Sequence, residues 1–434
     1  MTEAQTPVLD YKFPILNNLQ QVKDVIGDNK FFAITNRGEH TFVGYKLVTK
    51  DSFPAIYHGS SAEDAYVASV RRELRGLVFN SETGDIVSRP LHKFFNLGER
   101  PDTSIENVAE LLTRTRAEGH PVHVLDKLDG SLVTPIYCTS GGKRIKYRTK
   151  MSYEHDVSKH AENFIRSVDK EGEHNKYDTF SKKWLDDGFT PMFEFFSPET
   201  AIVINYKTSF MTLIAIRNVH DGTYISYNDM IQFAKDYNIP CVTALEFTVD
   251  NTASDLLTMI KSMTDKEGCV MRFHDGTMIK IKTDWYSSLH HLKSSLSFQR
   301  GNKDVLEMIV NNQVDDSVAV LNTQKEKDDL LGYNDLVQNA ILKCASELEE
   351  GYKSILNEHG AGAGFAQYIK KNNEMSSLKK SLLFTFKKLS TTDIDSVELL
   401  TQEIKKLLNK QHKQVLALLN IPGYFTETEE APNQ

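Results

Sequence analysis

The pattern of apolar residues changes near residue 300, and this change constrains the fold more than any other feature. Before it, the chain has short β-type runs such as Met192–Phe196 and Cys269–Phe273, and turn residues such as Asp275–Gly276 separate several of them. After it, apolar residues recur with a period near 3.6, which is typical of helices. We therefore predict an α+β protein. Residues 1–295 should form antiparallel sheets flanked by helices, and residues 296–434 an all-helical domain.

The composition is that of a globular protein, with 40% hydrophobic and 25% charged residues. No apolar run approaches the length of a membrane span, Met1 does not open a signal-peptide pattern, and the tail from about residue 426 resembles a disordered segment. The four scattered cysteines are typical of reduced core residues in a cytosolic protein, not of a disulfide framework or a zinc site. We therefore expect a cytoplasmic protein without a membrane partner. The cysteines are Cys138, Cys241, Cys269 and Cys344.

The formal net charge is −8, so the chain as a whole does not attract nucleic acid. A polyanionic ligand would have to be held by local clusters of basic side chains, with a divalent metal as a further source of positive charge.

One lysine lies in an unusual position. The stretch 122–125 predicts the end of a strand, and Asp129–Gly130 turns the chain directly after Lys127. A lysine at such a boundary can be partly desolvated and flanked by fixed charge, which turns its amine into a nucleophile near neutral pH. Taken alone, the motif favours a solvated turn lysine over an activated one.

Further charged residues lie on or beside apolar strands, where isolated charge is costly unless it is paired or bound to a ligand. They are Arg75, Arg148, Lys150, Glu194, Glu267, Lys280 and Lys282. Taken singly, each has an ordinary explanation. Lys280 and Lys282 could face solvent on an edge strand, Glu194 could pair with Arg75 or Arg217, and Glu267 could belong to a turn. Their joint occurrence favours a shared site.

The residue types of this shared site suit the binding of a triphosphate and a metal ion. Several cations suit the length of a triphosphate, and strand carboxylates suit a magnesium ion that also binds phosphate oxygens. Phosphoryl or nucleotidyl transfer requires little beyond positioning, charge neutralisation and a competent nucleophile.

The order of these motifs resembles that of the covalent nucleotidyltransferase superfamily, and in detail the phage-type RNA ligase 1 family of tRNA-repair enzymes. The longest similar segment runs over residues 279–290, and the resemblance covers most of residues 31–293. Weaker similarity continues to residue 424. The resembling stretches are 75–79, 88–97, 127–132, 148–150, 189–195, 224–227, 267–268 and 279–290.

The resemblance implies a role for each motif residue. Lys127 would attack the α-phosphate of ATP and carry AMP, with Lys280 and Lys282 stabilising the charge of the transition state. Glu194 would bind the catalytic metal, Mg²⁺ or Mn²⁺, or the ribose, and Tyr286 corresponds to a residue that the family needs. The remaining implied nucleotide contacts are Tyr45, Arg75, Lys93, Phe95, Lys150 and Glu267. Asp315 is the expected second metal ligand, although its spacing from the Lys280 motif departs slightly from the family pattern.

The same resemblance implies RNA as the partner, specifically a cleaved tRNA anticodon loop, with an end-healing kinase or phosphatase preparing the ends. If the chain is encoded by a phage, its location would be the cytoplasm of the infected host. The helical domain would then determine specificity for RNA. DNA ligases and capping enzymes share the lysine chemistry but usually continue into a β-barrel, which the helical pattern after Lys282 disfavours. A non-catalytic RNA-binding protein with the same fold is the other alternative, with a basic helix face at Lys379, Lys380, Lys387 and Lys388.

Overall fold

The computed structural model describes residues 12–46, 48–49, 51–57, 60–168, 175–198, 208–246, 253–286, 303–318, 324–389 and 396–421. Another β-type run of the sequence, residues 201–204, lies outside these ranges, as do the end of segment 279–290 after Tyr286 and the tail from residue 426. Within them, every helix is too short or too polar to span a bilayer.

Two compact units make up the chain. The first contains Met1–Tyr45 and Asp51–His291, and the second contains Lys46–Lys50 and Leu292–Gln434. The short segment 46–50 therefore belongs with the helical unit, although it lies far from that unit in sequence. Its connection includes a hydrogen bond from Asn334 Nδ2 to the carbonyl of Val48, 3.0 Å long.

The first unit contains three antiparallel sheets. Sheet A has the order β1-β2-β3-β4, sheet B the order β11-β10-β5, and sheet C the order β7-β6-β8-β9. The strands are β1 (Phe32–Arg37), β2 (His40–Tyr45), β3 (Arg75–Asn80), β4 (Ile86–Ser88), β5 (Val122–Lys127), β6 (Ser131–Cys138), β7 (Arg144–Arg148), β8 (Phe189–Phe196), β9 (Phe210–Asn218), β10 (Gly268–Phe273) and β11 (Met278–Lys282). The antiparallel pairing and the helical second unit confirm the predicted α+β class.

Helices cover the apolar faces of these sheets. They are α1 (Leu19–Ile26), α2 (Ala62–Glu73), α3 (Ile105–Ala117), α4 (Asp156–Val168), α5 (Lys176–Asp186), α6 (Tyr227–Asp236) and α7 (Ala253–Lys261), with a short 3₁₀ turn at Pro101–Thr103. Side chains that accept hydrogen bonds from backbone N–H groups begin several of them, as Ser61 does for α2 and Ser104 for α3. Sheet B shares a core with α3 and α7, and sheet C shares one with α4, α5 and α6.

The second unit contains six helices in its described part. They are α8 (Lys303–Val310), α9 (Val314–Val318), α10 (Gln324–His359), α11 (Ala363–Lys371), α12 (Ser377–Leu389) and α13 (Ser396–Leu418). A single apolar cluster joins them, with Val337, Ile341 and Ile404 fully buried. Helix α10 has 36 residues, which gives it a length of about 54 Å.

Candidate active site

Three lysines lie on one face of sheet B. Lys127, the last residue of β5, is directly opposite Gly268 of β10, and Gly268 is directly opposite Lys282 of β11. Lys280 lies two residues before Lys282, so its side chain points to the same face as Lys282. We call this group the lysine row. Strand pairing thus brings together residues that are separated by more than 150 positions.

Gly268 allows the strands of the lysine row to approach one another. Its φ of +157° is one that side chains rarely adopt, and a Cβ at this position would lie 2.1 Å from the carbonyl oxygen of Ile281. Any larger residue would push β10 away from β11. The glycine that follows Glu267 therefore has a geometric role, beyond the turn that is its ordinary explanation.

Glu267 links two members of the lysine row. Lys127 Nζ donates a hydrogen bond to Glu267 Oε2 at 2.6 Å, and Lys282 Nζ lies 3.3 Å from Oε1. The side chains of Glu267 and Lys282 are only 4% and 3% exposed, whereas that of Lys127 is 24% exposed. The carboxylate therefore fixes the Lys127 amine while leaving it open to a ligand.

The turn after Lys127 packs against β8. A Cβ on Gly130 would lie 2.7 Å from the carbonyl oxygen of Phe195 and 3.1 Å from Cγ of Glu194, so a side chain at this position would separate the turn from the strand. The preceding Asp129 is buried, and Tyr286 Oη donates to its Oδ1 at 3.4 Å. The Tyr286 ring in turn lies 4.8 Å from Lys282 Nζ.

Glu194 is the acidic group on β8. Its side chain is half-buried, and this burial raises its pKa from 4.5 to about 7. Lys127 and Arg75 oppose that rise, whereas the carboxylates of Glu267 and Asp129 add to it. Carboxylates concentrated beside partly buried cations form a region where a divalent ion would lower the electrostatic energy.

Aromatic rings and cations form a second group near the end of β2. Lys150 Nζ lies 3.8 Å from the centroid of the Tyr45 ring, and Lys93 Nζ lies 5.9 Å from the same ring. Lys93 Nζ is also 5.1 Å from the Phe95 ring. Arg75, the first residue of β3, has a buried Nη1 without a hydrogen-bond partner among the described residues. A buried N–H of this kind suits an anionic ligand.

The chain has relatives of similar sequence. A family model for RNA ligase matches residues 73–286, which include the lysine row, Glu194 and Tyr286. A protein of Thermovibrio ammonificans whose name assigns it to the RNA ligases is 26% identical over 351 residues, covering 78% of this chain and 82% of that protein. RNA ligase 1 of bacteriophage TS2126 is 26% identical over 316 residues, covering 68% of this chain and 72% of the phage protein. These sequence matches support assignment of this chain to the phage-type RNA ligases.

Among solved structures, an archaeal ATP-dependent RNA ligase is similar to this chain with a TM-score of 0.41 and 9% identity, covering 72% of this chain and 75% of that one. The family assignment depends on the sequence matches.

Arg148, which the sequence singled out, and Arg217, the alternative partner of Glu194, both belong to the scaffold of this RNA ligase. Arg148 is buried, and its Nη2 donates to Ser88 Oγ at 2.8 Å. Burial lowers its pKa to about 9. Arg217 binds Glu73 through both of its terminal nitrogens, at 2.8 Å each, so the alternative pairing of Arg217 with Glu194 is not formed.

The remaining predicted residues divide between the two units. Lys280 lies 5.6 Å from the Phe94 ring and donates its backbone N–H to the carbonyl of Phe95, which ties β11 to the aromatic segment. Asp315 lies on α9, in the second unit of the ligase, and is half-buried. Its role as a metal ligand stays a prediction.

Sequence reasoning did not single out Asp129 as a functional residue of the ligase, because an Asp–Gly pair is explained by the turn alone. Its burial, its hydrogen bond from Tyr286 and its effect on Glu194 make it part of the site. In the sequence, its position two residues after Lys127 was the feature that could have indicated a functional role.

Proposed function

We propose that this RNA ligase uses ATP to join an RNA 5′-phosphate to an RNA 3′-hydroxyl through a lysyl-AMP intermediate on Lys127. The observation that supports the proposal most directly is the lysine row. One partly accessible amine is held by a buried carboxylate, and that carboxylate also holds a second, buried lysine. A salt bridge that only stabilised the fold would not need the accessible amine.

In the first step, Lys127 Nζ attacks the α-phosphorus of ATP. An N–P bond forms, the P–O bond to pyrophosphate breaks, and the amine releases a proton. Glu267 lies 2.6 Å from this nitrogen and is therefore placed to accept that proton. Lys280, Lys282 and Arg75 supply positive charge where negative charge builds up on the phosphate oxygens.

The carboxylate-rich region fits a hard divalent cation. Glu194 would hold it, because its raised pKa reflects burial among acidic groups, and carboxylate oxygens are the ligands that Mg²⁺ and Mn²⁺ prefer. When bound, such an ion supplies charge neutralisation at phosphate oxygens. Tyr45, Lys93, Phe95 and Lys150 would form the aromatic and cationic surroundings of the nucleotide.

Two further steps complete the reaction. AMP passes from Lys127 to the RNA 5′-phosphate, so the N–P bond breaks as a pyrophosphate linkage forms. The RNA 3′-hydroxyl then attacks the activated phosphate, and AMP leaves as the phosphodiester bond forms. Lys127 is a reactant only in the first two steps.

Because Lys127 reacts only in the first two steps, its role can be tested by separating those steps from the last one. Incubation with ATP labelled at the α-phosphate should produce a covalent, acid-labile adduct in the wild type and none in Lys127→Ala. The variant should still seal RNA that is already adenylated. An unlabelled wild type would refute the proposal, and equal loss of both activities would mean that Lys127 acts in the last step or that the variant is misfolded. Circular dichroism distinguishes these two.

We also propose cleaved tRNA as the natural substrate, with a kinase or phosphatase preparing its ends. Family membership supports RNA, and the two-unit architecture supports a separate surface for recognising it. The test compares sealing of a cleaved anticodon loop with sealing of a nicked duplex of matched sequence. Preference for the nicked duplex would contradict the assignment and would favour a DNA-ligase-like substrate.

A further inference from the structure

Besides the carboxylates around Glu194, a second group of side chains could bind a metal. Its members lie on strands other than those of the lysine row. Glu39 and His40 lie at the turn that opens β2 in sheet A, and Cys138 ends β6 in sheet C. A carboxylate oxygen, an imidazole nitrogen and the thiol sulfur of these residues lie within 4.8 Å of one another. Oxygen, nitrogen and sulfur donors that converge in this way are the ligand set of Zn²⁺.

His40 points to a ligand independently of this clustering. It is only 4% exposed, and its Nδ1 is buried without a hydrogen-bond partner among the residues that the structure describes. A buried polar atom without a partner is uncommon and costs free energy. Burial, opposed by Glu39 and reinforced by Arg148, lowers the pKa of the ring. His40 is therefore neutral at physiological pH, which is the metal-binding form.

Glu39 is held in place from behind by the turn that follows β6. Its Oε2 accepts hydrogen bonds from Thr139 N at 2.7 Å and from Thr139 Oγ1 at 2.5 Å. Its Oε1 accepts a long hydrogen bond, 3.4 Å, from Ser140 N, and the Cys138 thiol is also hydrogen-bonded to this carboxylate. Although partial burial opposes the shift, these hydrogen bonds lower the pKa of Glu39 to about 2. One oxygen is thus fixed, and the other can face a cation, as in metal sites whose ligands are oriented by outer partners.

Cys138 completes the set, although the scattered cysteines of the sequence did not indicate a zinc site. It is 4% exposed and forms no disulfide. Burial, reinforced by Glu39, raises its pKa to about 11, so the metal-free site holds a thiol. Binding would form a metal–sulfur bond and release the thiol proton to solvent, which makes affinity increase with pH. Lys146 and Arg144 lower the pKa of this thiol and so favour that release.

We propose that Glu39, His40 and Cys138 form a zinc-binding site, separate from the carboxylates around Lys127. Three protein ligands leave the fourth position of a tetrahedral Zn²⁺ ion for water. The thiolate selects Zn²⁺ over Mg²⁺, so the site would not compete for the metal used in adenylation. The ion would join hairpin β1–β2 to hairpin β6–β7. Phe42 of the first hairpin and Ile136 of the second already belong to one buried apolar cluster.

The test uses Co²⁺ as a spectroscopic substitute for Zn²⁺ in the full-length chain. One equivalent of Co²⁺ should produce a thiolate-to-metal charge-transfer band in the near ultraviolet, and Zn²⁺ should abolish the band by displacing Co²⁺. The band should be lost in Cys138→Ser and kept in Cys344→Ser, which changes a buried cysteine of the helical unit. Absence of the band in the wild type, or its persistence in Cys138→Ser, would overturn the proposal.

A second variant keeps the proposal testable if Cys138→Ser misfolds. Glu39→Gln keeps a half-exposed, similarly shaped side chain, and we expect its Zn²⁺ affinity to fall by at least about tenfold. Unchanged affinity in this variant would also count against the site. Labelling of Cys138→Ser by ATP should continue, because Cys138 lies outside the adenylation machinery. Failure of the zinc site and failure of the ligase mechanism therefore give different results.

Discussion

Glu194 connects the chemistry of single residues to the pH dependence of stability. Its pKa of about 7 in the folded chain exceeds the ordinary 4.5 because the side chain is half-buried among other carboxylates. Between these two pH values the folded state keeps a proton that the unfolded state has released. The contribution of Glu194 to stability is therefore complete below pH 4.5 and is lost as pH rises through 7.

We expect Glu194→Gln to remove this dependence, because glutamine resembles the protonated acid. Between pH 4.5 and 8, the difference in free energy of unfolding between the wild type and the variant should change by up to about 3 kcal/mol. Urea titrations with a chelator present measure it. Glu110→Gln, on the exposed face of α3, is the matched control. If the free energies of unfolding of the wild type and Glu194→Gln changed with pH in parallel, the raised pKa of Glu194 would be contradicted.

The residues of the site differ in how far the sequence alone could reveal them. Lys127 was recognisable because Asp129 and Gly130 mark the turn within three positions. Its pairing with Glu267 spans 140 positions and depends on the register of β5 with β10. No local pattern determines such a register, since it follows from which faces of the sheets are buried.

Gly268 determines the geometry of sheet B. We expect Gly268→Ala to lower the free energy of unfolding by more than about 1 kcal/mol, because the new Cβ would lie 2.1 Å from a backbone oxygen of β11. Adduct formation with labelled ATP should fall by more than the loss of folded protein explains, because displacement of β11 also moves Lys282. The control is Gly332→Ala in α10, where a Cβ would meet nothing within 4 Å and should stabilise the helix by about 0.5–1 kcal/mol. Wild-type labelling in Gly268→Ala would show that the register is not needed.

A buried ionic network connects α2 to the sheets. Glu73, at the end of α2, binds Arg89 at 3.0 Å and Arg217 of β9 at 2.8 Å, and all three side chains are fully buried. Although burial opposes it, the two guanidinium groups hold the pKa of Glu73 well below its usual range. The stability it provides is present above about pH 4.5 and is lost as pH falls through the lowered value.

We expect Glu73→Gln to cost about 3–5 kcal/mol, because it leaves two buried cations without their carboxylate. Thermal and urea unfolding measure the loss. Glu63→Gln, in the exposed first turn of the same helix, should cost less than about 1 kcal/mol. Equal losses in the two variants would mean that the network contributes no more than a surface charge.

At the scale of elements, the sequence predicted most strands and the helical unit, because hairpin turns and the 3.6-residue period are local signals. The turn at Asp275–Gly276 does join β10 to β11. The sequence did not predict that residues 46–50 belong with the helical unit. The composition of this segment does not distinguish it from its neighbours. Only its tertiary contacts, such as that of Val48 with Asn334, assign it to the helical unit.

The whole molecule presents an electrostatic problem, since a chain with a net charge of −8 must hold RNA. The basic face of α12 offers a local solution. Lys387 Nζ already donates to the carbonyl of Ala361 and lies 4.7 Å from the Phe365 ring, so it contributes to packing within its unit. Lys388 is exposed and Lys380 half-exposed, and both can contact phosphates.

We expect the double variant Lys380→Glu, Lys388→Glu to form the AMP adduct at the wild-type rate, because Lys127 and the residues proposed to surround ATP lie in the first unit. Sealing of cleaved tRNA should weaken, and the slope of log affinity against log salt should become shallower by about 2, since each lysine neutralises one phosphate. Filter binding over a salt series measures this slope. The matched control is Lys343→Glu, Lys353→Glu on α10, which makes the same change of net charge at exposed positions of the same unit. If both double variants weaken binding equally, α12 acts only through net charge. If neither does, RNA is held by the first unit alone.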